Sequence, residues 1–268
     1  MLFRSEVESA LGAIRDTGFC VLNIDLIYGG DGQTAHDWLL NVREAMKWQA
    51  EEIYLYPLYV RPLTGLGKRD GLLDDAFDQD WDARRLIAYR AARDELLTNG
   101  YEQISMRMFR RANSSPPVGP VYCCQSDGMV GVGCGARSYT AELHYSTEYA
   151  VGKRGVHSIL LDYINRDPSD FSAARHGFLL NEDEQQRRFI IQGILQADGL
   201  SRPAYLSRFG RDVLTDHACL QQLADWKCAR ITADAIQLTH QGLERSDAIG
   251  PWFYSQQVQQ LSRQFELV

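Results

Sequence analysis

The stretch CVLNIDLIY at residues 20–28 is an apolar run broken only by Asn23 and Asp25. Such a run is typical of a strand buried on both faces in a parallel sheet. The stretch IYLYPLYV at residues 53–60 has the same character, and Pro57 marks the end of pairing because proline cannot donate to a ladder. We therefore expect the two stretches to lie side by side and to run in the same direction.

Helices are expected around these strands. Apolar spacing predicts three of them in the first half of the chain, over residues 5–17, 35–48 and 78–98. Thr34 caps the second helix, with Asp37 at the capping-box position. A third strand is predicted over residues 101–109. Strand–helix–strand–helix order predicts an α/β fold with parallel pairing and right-handed crossovers, and an antiparallel α+β domain is the alternative.

The pattern changes after about residue 168. Helices are predicted over residues 181–197, 217–226 and 247–266, and Asn181 and Glu184 are expected to cap the first of them. Two short strands around a turn are predicted within residues 227–242. Helices followed by a small hairpin indicate a winged-helix-like unit, so we divide the chain into residues 1–168 and 169–268. Glycine and proline predict loops at 61–77 and 110–127, and residues 129–140 are expected to be half strand and half glycine turn.

The overall charge limits the class of partner. The net charge is −7, so the chain has no general attraction to nucleic acid or to anionic lipid. No apolar stretch is long enough to cross a membrane, and the N-terminus lacks the apolar core of a signal peptide, so we expect a cytoplasmic protein. Arginine dominates the 28 basic residues, which reflects either base composition or recognition of carboxylates.

Asp25 is the first candidate site residue. A carboxylate inside an apolar strand needs a partner, because an unpaired buried charge is very costly. It also lies near the C-terminal end of its strand, which is the edge where α/β sheets bind ligands. Two interpretations remain open: Asp25 accepts hydrogen bonds from a ligand, or it forms a structural ion pair with an arginine.

Glycine and cysteine provide weaker signals. Gly131, Gly133 and Gly135 form a G-x-G-x-G pattern, which indicates either close backbone approach to a ligand or only a turn. Cys123, Cys124 and Cys134 with His144 suggest a metal site only weakly, because adjacent cysteine side chains diverge in extended backbone. No pair of cysteines has the C-x-x-C spacing of a zinc site.

Five segments carry a family resemblance when they are taken in order. They are NIDLIYGGDGQT (23–34), IYLYPLYVRPLTGLGK (53–68), DARRLIAYRAARDELLTNGYEQISMRMFRR (82–111), GMVGVGCGARSYT (128–140) and QLTHQG (237–242). Together they resemble the oxygen-independent coproporphyrinogen III oxidase and haem-chaperone family of radical S-adenosylmethionine (radical SAM) proteins. The resemblance implies an α/β fold: a partial parallel (β/α) barrel, followed by a mainly helical, winged-helix-like C-terminal domain.

The resemblance also implies a cofactor site. By residue matching, the residues that help to hold S-adenosylmethionine are Asp25, Ile27, Tyr59, Gly131, Gly133 and Arg137. The family binds a 4Fe-4S cluster through a C-x-x-x-C-x-x-C motif, and this sequence does not contain that motif. We therefore expect the C-terminal part of such a protein, inactive in radical chemistry without the upstream motif. The missing N-terminal half of the barrel, or a partner chain, would then cover the edge of the first strand.

The implied substrate is a tetrapyrrole or a related small molecule. Arg110, Arg111 and Arg137 are candidates for its propionates or for the carboxylate of the cofactor. The alternative function is a non-catalytic haem-binding or carrier protein, with His144 or a cysteine as axial ligand. A winged-helix DNA-binding regulator is disfavoured, because the C-terminal part carries slightly more acidic than basic residues.

Overall fold

The computed structural model describes residues 2–60, 79–114 and 128–264. They fall into two compact units, which are described separately. Unit 1 comprises Met1–Leu58, Asp78–Pro120 and Gln192–Gly250, and unit 2 comprises Tyr59–Phe77, Val121–Ile191 and Pro251–Val268. The predicted loop at 61–77 and most of the one at 110–127 lie outside the described residues. The division of the chain at residue 168 stays a prediction.

Unit 1 begins with helix α1 (Leu2–Thr17), which confirms the predicted helix. Gly18 ends it with a φ of +78°, a left-handed conformation that glycine adopts at little cost. Strand β1 (Asn23–Tyr28), helix α2 (Ala35–Lys47) and strand β2 (Glu52–Pro57) follow. The Thr34 hydroxyl accepts a hydrogen bond from the Asp37 N–H at 3.1 Å, which confirms the predicted cap.

β1 and β2 pair in parallel, as predicted, in a register that runs from Asn23 opposite Glu52 to Tyr28 opposite Pro57. The expectation that β1 is buried on both faces is wrong. Its residues alternate, so that Asn23, Asp25 and Ile27 are exposed while Tyr28 is fully buried. Only one face of β1 is covered by helices. The sequence did not show this, because apolar residues occur on both faces of the strand and so obscure its period-two alternation.

The buried face of the sheet packs against α2 and helix α3 (Gln79–Thr98). The Trp38 indole N–H of α2 donates to the carbonyl of Ala88 in α3 at 2.9 Å, which joins the two helices. The side chains that fill this core include Tyr28, Trp38, Val42, Ile53, Leu55, Tyr89, Leu96 and Phe109. Each is almost completely removed from water, so this layer is the principal apolar contribution to folding in unit 1.

The predicted strand over residues 101–109 is instead a hairpin, so the expectation of parallel pairing fails here. Strands β3 (Tyr101–Gln103) and β4 (Met108–Arg111) are antiparallel to each other, and β4 is antiparallel to β2. The chain reverses because the Met108 N–H donates to the Ser105 hydroxyl at 3.1 Å, which closes a tight turn. The sheet order is β1-β2-β4-β3, so the α/β class is correct but the sheet is mixed.

Glu51 joins three elements of unit 1 through one carboxylate. It accepts hydrogen bonds from the Leu22 backbone N–H at 2.8 Å, from Arg15 of α1 at 2.9 Å and from Arg111 of β4 at 3.0 Å. The residue is only 8% exposed. Such a buried carboxylate is stabilised only while these donors remain in place.

The C-terminal part of unit 1 contains short helices and a small sheet. The predicted hairpin is confirmed: β9 (Ala229–Ile231) and β10 (Ala235–Leu238) pair antiparallel, and β8 (Leu200–Ser201) adds a third strand. The helices before the hairpin are α6 (Arg202–Phe209), α7 (Val213–Asp216) and α8 (Gln221–Asp225). The predicted helix over 217–226 is therefore split into a 3₁₀ turn (Ala218–Leu220) and α8.

Two further helices, α9 (His240–Leu243) and α10 (Ser246–Trp252), follow the hairpin. Between them Glu244, 3% exposed, pairs with Arg90 and Arg93 of α3 and with Arg245. The predicted helix over 247–266 breaks after Trp252, and a separate helix, α11 (Gln256–Gln264), follows in unit 2. It begins there because the Ser255 hydroxyl accepts the Val258 N–H at 3.1 Å and so caps α11.

Unit 2 contains an antiparallel sheet of β5 (Ser138–Tyr139), β6 (Leu143–Ser146) and β7 (His176–Leu179). Between β6 and β7 the chain forms α4 (Lys153–Ile164) and a 3₁₀ helix (Pro168–Ser172). Helix α5 (Glu182–Ile194) follows β7, with the Asn181 side chain accepting the Glu184 N–H at 2.9 Å, which confirms the predicted cap. None of the described helices is long and apolar enough to span a membrane.

The Glu51 contacts predict a destabilised variant. Glu51→Gln keeps the shape of the side chain but removes the charge that two guanidiniums share. Because both arginine side chains are about one-third exposed, we expect a loss of about 2 kcal/mol in the free energy of unfolding by urea. Glu102→Gln, at an exposed position on β3, is the matched control. Equal stability of the Glu51 and Glu102 variants would contradict the role of Glu51.

Acid is predicted to weaken unit 1 through Glu51 and Glu244. Burial alone would raise the pKa of each carboxyl, but the Leu22 N–H and Arg15 at Glu51, and Arg90 at Glu244, hold each pKa below its ordinary value of 4.5. The ionised carboxylates therefore contribute their full stabilisation of the folded state above pH 4.5. This contribution is lost as the pH falls through the lowered folded-state pKa of each group.

The measurement is the free energy of unfolding as a function of pH. The wild-type protein should lose more stability between neutral and acid pH than the double variant Glu51→Gln, Glu244→Gln, which has no such carboxyls to protonate. Parallel curves for the two proteins would show that these carboxyls do not govern the acid response.

Candidate functional site

The open face of the unit 1 sheet is the face of β1 and β2 opposite to α2 and α3. The period-two alternation of the strands sends Asp25 and Ile27 of β1 and Tyr54 and Tyr56 of β2 to this face. The parallel register places Asp25 opposite Tyr54, and Ile27 opposite Tyr56. The open face therefore presents one carboxylate, one aliphatic side chain and two phenols on neighbouring parallel strands. Asp25 and Tyr54 lie at the third of six positions in their strands, so Asp25 is nearer the middle of β1 than the sequence suggested, and Ile27 and Tyr56 lie at the fifth.

Asp25 is exposed on this face, not buried in the strand as its apolar neighbours suggested. Its carboxylate accepts a hydrogen bond from the Asn23 side-chain amide at 3.0 Å. No arginine within the described residues forms an ion pair with it, so the alternative of a structural ion pair finds no support in unit 1. Ile27 is 60% exposed. Both side chains are thus accessible to a ligand.

Tyr54 and Tyr56 were not singled out from the sequence. Their rings stack with centroids 6.0 Å apart and planes 9° apart, and the Arg107 guanidinium lies over the Tyr56 ring at 5.4 Å. Burial, followed by the charge of Glu52 and the proximity of Tyr56, raises the pKa of Tyr54 to about 12. The phenol is therefore a neutral hydrogen-bond donor at physiological pH. The alternation of Tyr-Leu-Tyr in β2 was the signal that could have revealed the pair.

The two arginines of β4 differ in role. Arg110 pairs with Glu52 at 3.1 Å, and the register places it on the same face of β4 as Met108, which lies opposite Tyr54. Arg111 belongs to the Glu51 network. Of the three predicted carboxylate-binding arginines, Arg110 and Arg111 belong to β4, and of these two only Arg110 lies on the open face.

A glycine-rich loop follows β1. The Gly29 N–H donates to the Gln33 side-chain carbonyl at 2.8 Å, and Gly29 and Gly32 have positive φ. This loop, with Trp38 of α2 and Arg84 and Ile87 of α3, lines a cavity of about 310 Å³. Space for a small ligand therefore exists beside the loop that follows Asp25 and Ile27.

The remaining predicted residues lie in unit 2. Tyr59, 47% exposed, follows β2 by two residues. The Gly131 N–H donates to the Ser138 hydroxyl at 3.0 Å, and a β-carbon at Gly131 would lie 2.5 Å from the Arg137 carbonyl oxygen. Position 131 therefore requires glycine because the backbone of Arg137 lies so close. Position 133 favours glycine because its φ is +105°. The Arg137 side chain is exposed.

The described residues do not fit an iron–sulfur cluster. Among them no group of three or more His, Cys, Asp or Glu side chains could hold a metal ion. The described cysteines, Cys20, Cys134, Cys219 and Cys228, are free thiols. Cys123 and Cys124 lie outside the described residues. His144 of β6 contacts the Tyr139 ring edge-on, with centroids 4.7 Å apart.

These features define an α/β protein whose mixed sheet is covered by helices on one face and carries a polar and aromatic opposite face. The same fold is found in Escherichia coli coproporphyrinogen III oxidase (HemN), described as a radical SAM enzyme. The TM-score is 0.68 with 19% identity, over 92% of this chain and 58% of that chain.

The sequence is also similar to the heme chaperone HemW of Bacillus subtilis (strain 168). The two are 23% identical over 245 residues, which cover 89% of this chain and 60% of the relative. No protein-family model matches the chain. The two comparisons confirm the predicted resemblance to radical SAM proteins of the coproporphyrinogen oxidase and haem-chaperone type. The chain spans about 60% of the length of the curated relative.

Proposed function

We propose that the open face of the unit 1 sheet is part of an S-adenosylmethionine site in a radical SAM protein of the coproporphyrinogen oxidase type. The observation that carries the proposal is the exposure of Asp25 and Ile27 on a parallel strand pair, with no arginine of the described residues paired to Asp25. The fold shared with a radical SAM enzyme supports it. Ligands of open α/β sheets bind beyond the carboxyl ends of the strands, the direction in which Ile27 and Tyr56 follow Asp25 and Tyr54.

The chemistry of the open face suits such a ligand. The Asp25 carboxylate can accept hydrogen bonds from an amine or a ribose hydroxyl, and Ile27 offers an apolar surface to a ring. Tyr54, protonated at neutral pH, can donate to a ligand oxygen. The cofactor-binding roles of Tyr59, Gly131, Gly133 and Arg137 stay predictions from the family resemblance.

The cluster of a radical SAM protein supplies the electron that cleaves the cofactor, and its thiolate motif does not occur in this sequence. We propose that this chain contributes binding surface and that the thiolates are held outside this sequence. β1 is an edge strand within the described part of unit 1, so a further barrel segment or a partner chain could pair with it. A barrel fragment over 1–168, a winged-helix-like domain over 169–268 and a tetrapyrrole substrate complete the proposal.

The proposal predicts binding of S-adenosylmethionine that depends on Asp25. Calorimetric titration of the chain should detect binding. Asp25→Asn should weaken it by about tenfold or more, because the amide keeps an acceptor oxygen but loses the charge that strengthens the hydrogen bond to the ligand. Asp198→Asn, at an exposed position between α5 and β8, is the matched control and should leave the affinity unchanged.

The same variants separate binding from folding. Because Asp25 is exposed, Asp25→Asn should change the free energy of unfolding by no more than about 0.5 kcal/mol. Binding that is equally strong in the wild type and in Asp25→Asn, or no binding by the folded wild type, would refute a cofactor site on the open face.

A second candidate function is haem binding without catalysis. It is favoured by the sequence similarity to a relative named a heme chaperone. His144 is the described histidine that we predicted as an axial ligand, and its imidazole lies edge-on to the Tyr139 ring in β5.

Titration with haem tests this candidate by absorption spectroscopy. A haem carrier should produce a shifted Soret band, and His144→Gln should change the position of that band. His157→Gln, at an exposed histidine of α4, should leave it unchanged. A spectrum identical to that of free haem would exclude haem binding, and a band unaffected by His144→Gln would exclude His144 as the ligand.

A further inference from the structure

Unit 2 contains a cavity of about 370 Å³ whose lining residues all belong to that unit. It lies among the strands β6 and β7, the end of α4, the 3₁₀ helix and the glycine-rich turn that precedes β5. Its volume is near the lower end of the roughly 300–1,000 Å³ that is typical of small-molecule sites. The cavity therefore suits a ligand with one ring system better than a macrocycle.

Two arginines line one part of the cavity, each paired with a carboxylate, and one of these carboxylates, Asp170, lines the cavity as well. Arg166 binds the Asp162 carboxylate through Nε, at 2.9 Å, and through Nη2, while its Nη1 has no partner among the described residues. Its side chain is only 15% exposed. Arg175 also lines the cavity and binds Asp170 through Nη2 alone. Guanidinium N–H groups thus remain for a ligand anion, and their planar geometry matches a carboxylate.

Another part of the lining is aromatic. Tyr163 of α4 and Phe171 of the 3₁₀ helix pack edge to face, with centroids 5.3 Å apart and planes 73° apart. Tyr145 and Leu143 of β6 add apolar surface. Phe171 is 51% exposed, although apolar rings gain free energy when they are covered. A planar apolar group in the cavity would cover these rings.

The wall formed by the glycine-rich turn is fixed in place. The Gly131 N–H donates to Ser138 at 3.0 Å, and the Gly135 N–H donates to the Thr147 hydroxyl at 2.8 Å. A site whose wall is already held by hydrogen bonds loses little conformational entropy when a ligand binds.

We propose that this cavity binds a small aromatic carboxylic acid, with the carboxylate on Arg166 and Arg175 and the ring against Tyr163 and Phe171. None of these four residues belongs to the predicted cofactor set. Gly131 and Gly133 of that set form part of the glycine-rich wall of the same cavity, whereas the open face of unit 1 contributes no residue to its lining. Inorganic phosphate would use the arginines but would leave the aromatic part of the lining uncovered.

Calorimetric titration with indole-3-acetate tests this assignment on the full chain. Indole-3-acetamide has nearly the same shape without the charge and should bind at least tenfold more weakly. Arg166→Gln should weaken binding of the acid by about tenfold and leave binding of the amide unchanged. Arg175→Gln, a second variant at the same site, should act in the same direction. Arg154→Gln, at an exposed arginine of α4, should have no effect.

Three results would overturn the proposal. Equal affinities for acid and amide would show that the arginines do not select a carboxylate, and inorganic phosphate binding as tightly as the acid would show that the rings contribute nothing. Displacement of indole-3-acetate by S-adenosylmethionine would assign the cavity to the cofactor. Asp25→Asn should leave the affinity for indole-3-acetate unchanged, so failure of one site is distinguishable from failure of the other.

Discussion

The Glu51 carboxylate is the contact on which the arrangement of unit 1 depends most. It holds the Leu22 N–H just before β1, an arginine from α1 and an arginine from β4, while Glu51 itself immediately precedes β2. One buried acidic group therefore sets the start of two parallel strands relative to each other. Because a shift of one residue would turn every side chain of a strand to the opposite face, this anchor also decides which residues reach the open face.

The consequence of that register is a sheet with two different faces. One face buries Tyr28, Ile53 and Leu55 against helices, and the other presents Asp25, Ile27 and the tyrosine pair of β2. The apolar core stabilises the sheet without using the open face. The open face can therefore keep polar groups that a ligand needs, including a carboxylate that no described arginine neutralises.

Local signals in the sequence predicted much of the fold. Thr34 with Asp37, Asn181 with Glu184, and the two short strands around residues 232–234 all act over a few residues, so their patterns are visible in the chain. Proline at position 57 correctly marked the end of β2.

Other features depend on contacts between distant residues and could not be predicted. The hairpin at Ser105 was missed because a hydroxyl accepting a backbone N–H does not alter the apolar pattern. The exposure of Asp25 was missed because the strand carries apolar residues on both faces, although only one is covered. The cavity of unit 2 was missed because Arg166 and Arg175 are nine residues apart in sequence. They line one cavity only because the chain from the end of α4 through the 3₁₀ helix brings them together.

The central claim is that the open face of β1 and β2 binds S-adenosylmethionine through Asp25. A crystal structure of the protein grown with this cofactor tests it most directly. The account predicts electron density for the cofactor on the open face, with the Asp25 carboxylate within hydrogen-bond distance of a ligand hydroxyl or amine. Density for the cofactor in the unit 2 cavity, with Asp25 still facing solvent, would contradict it.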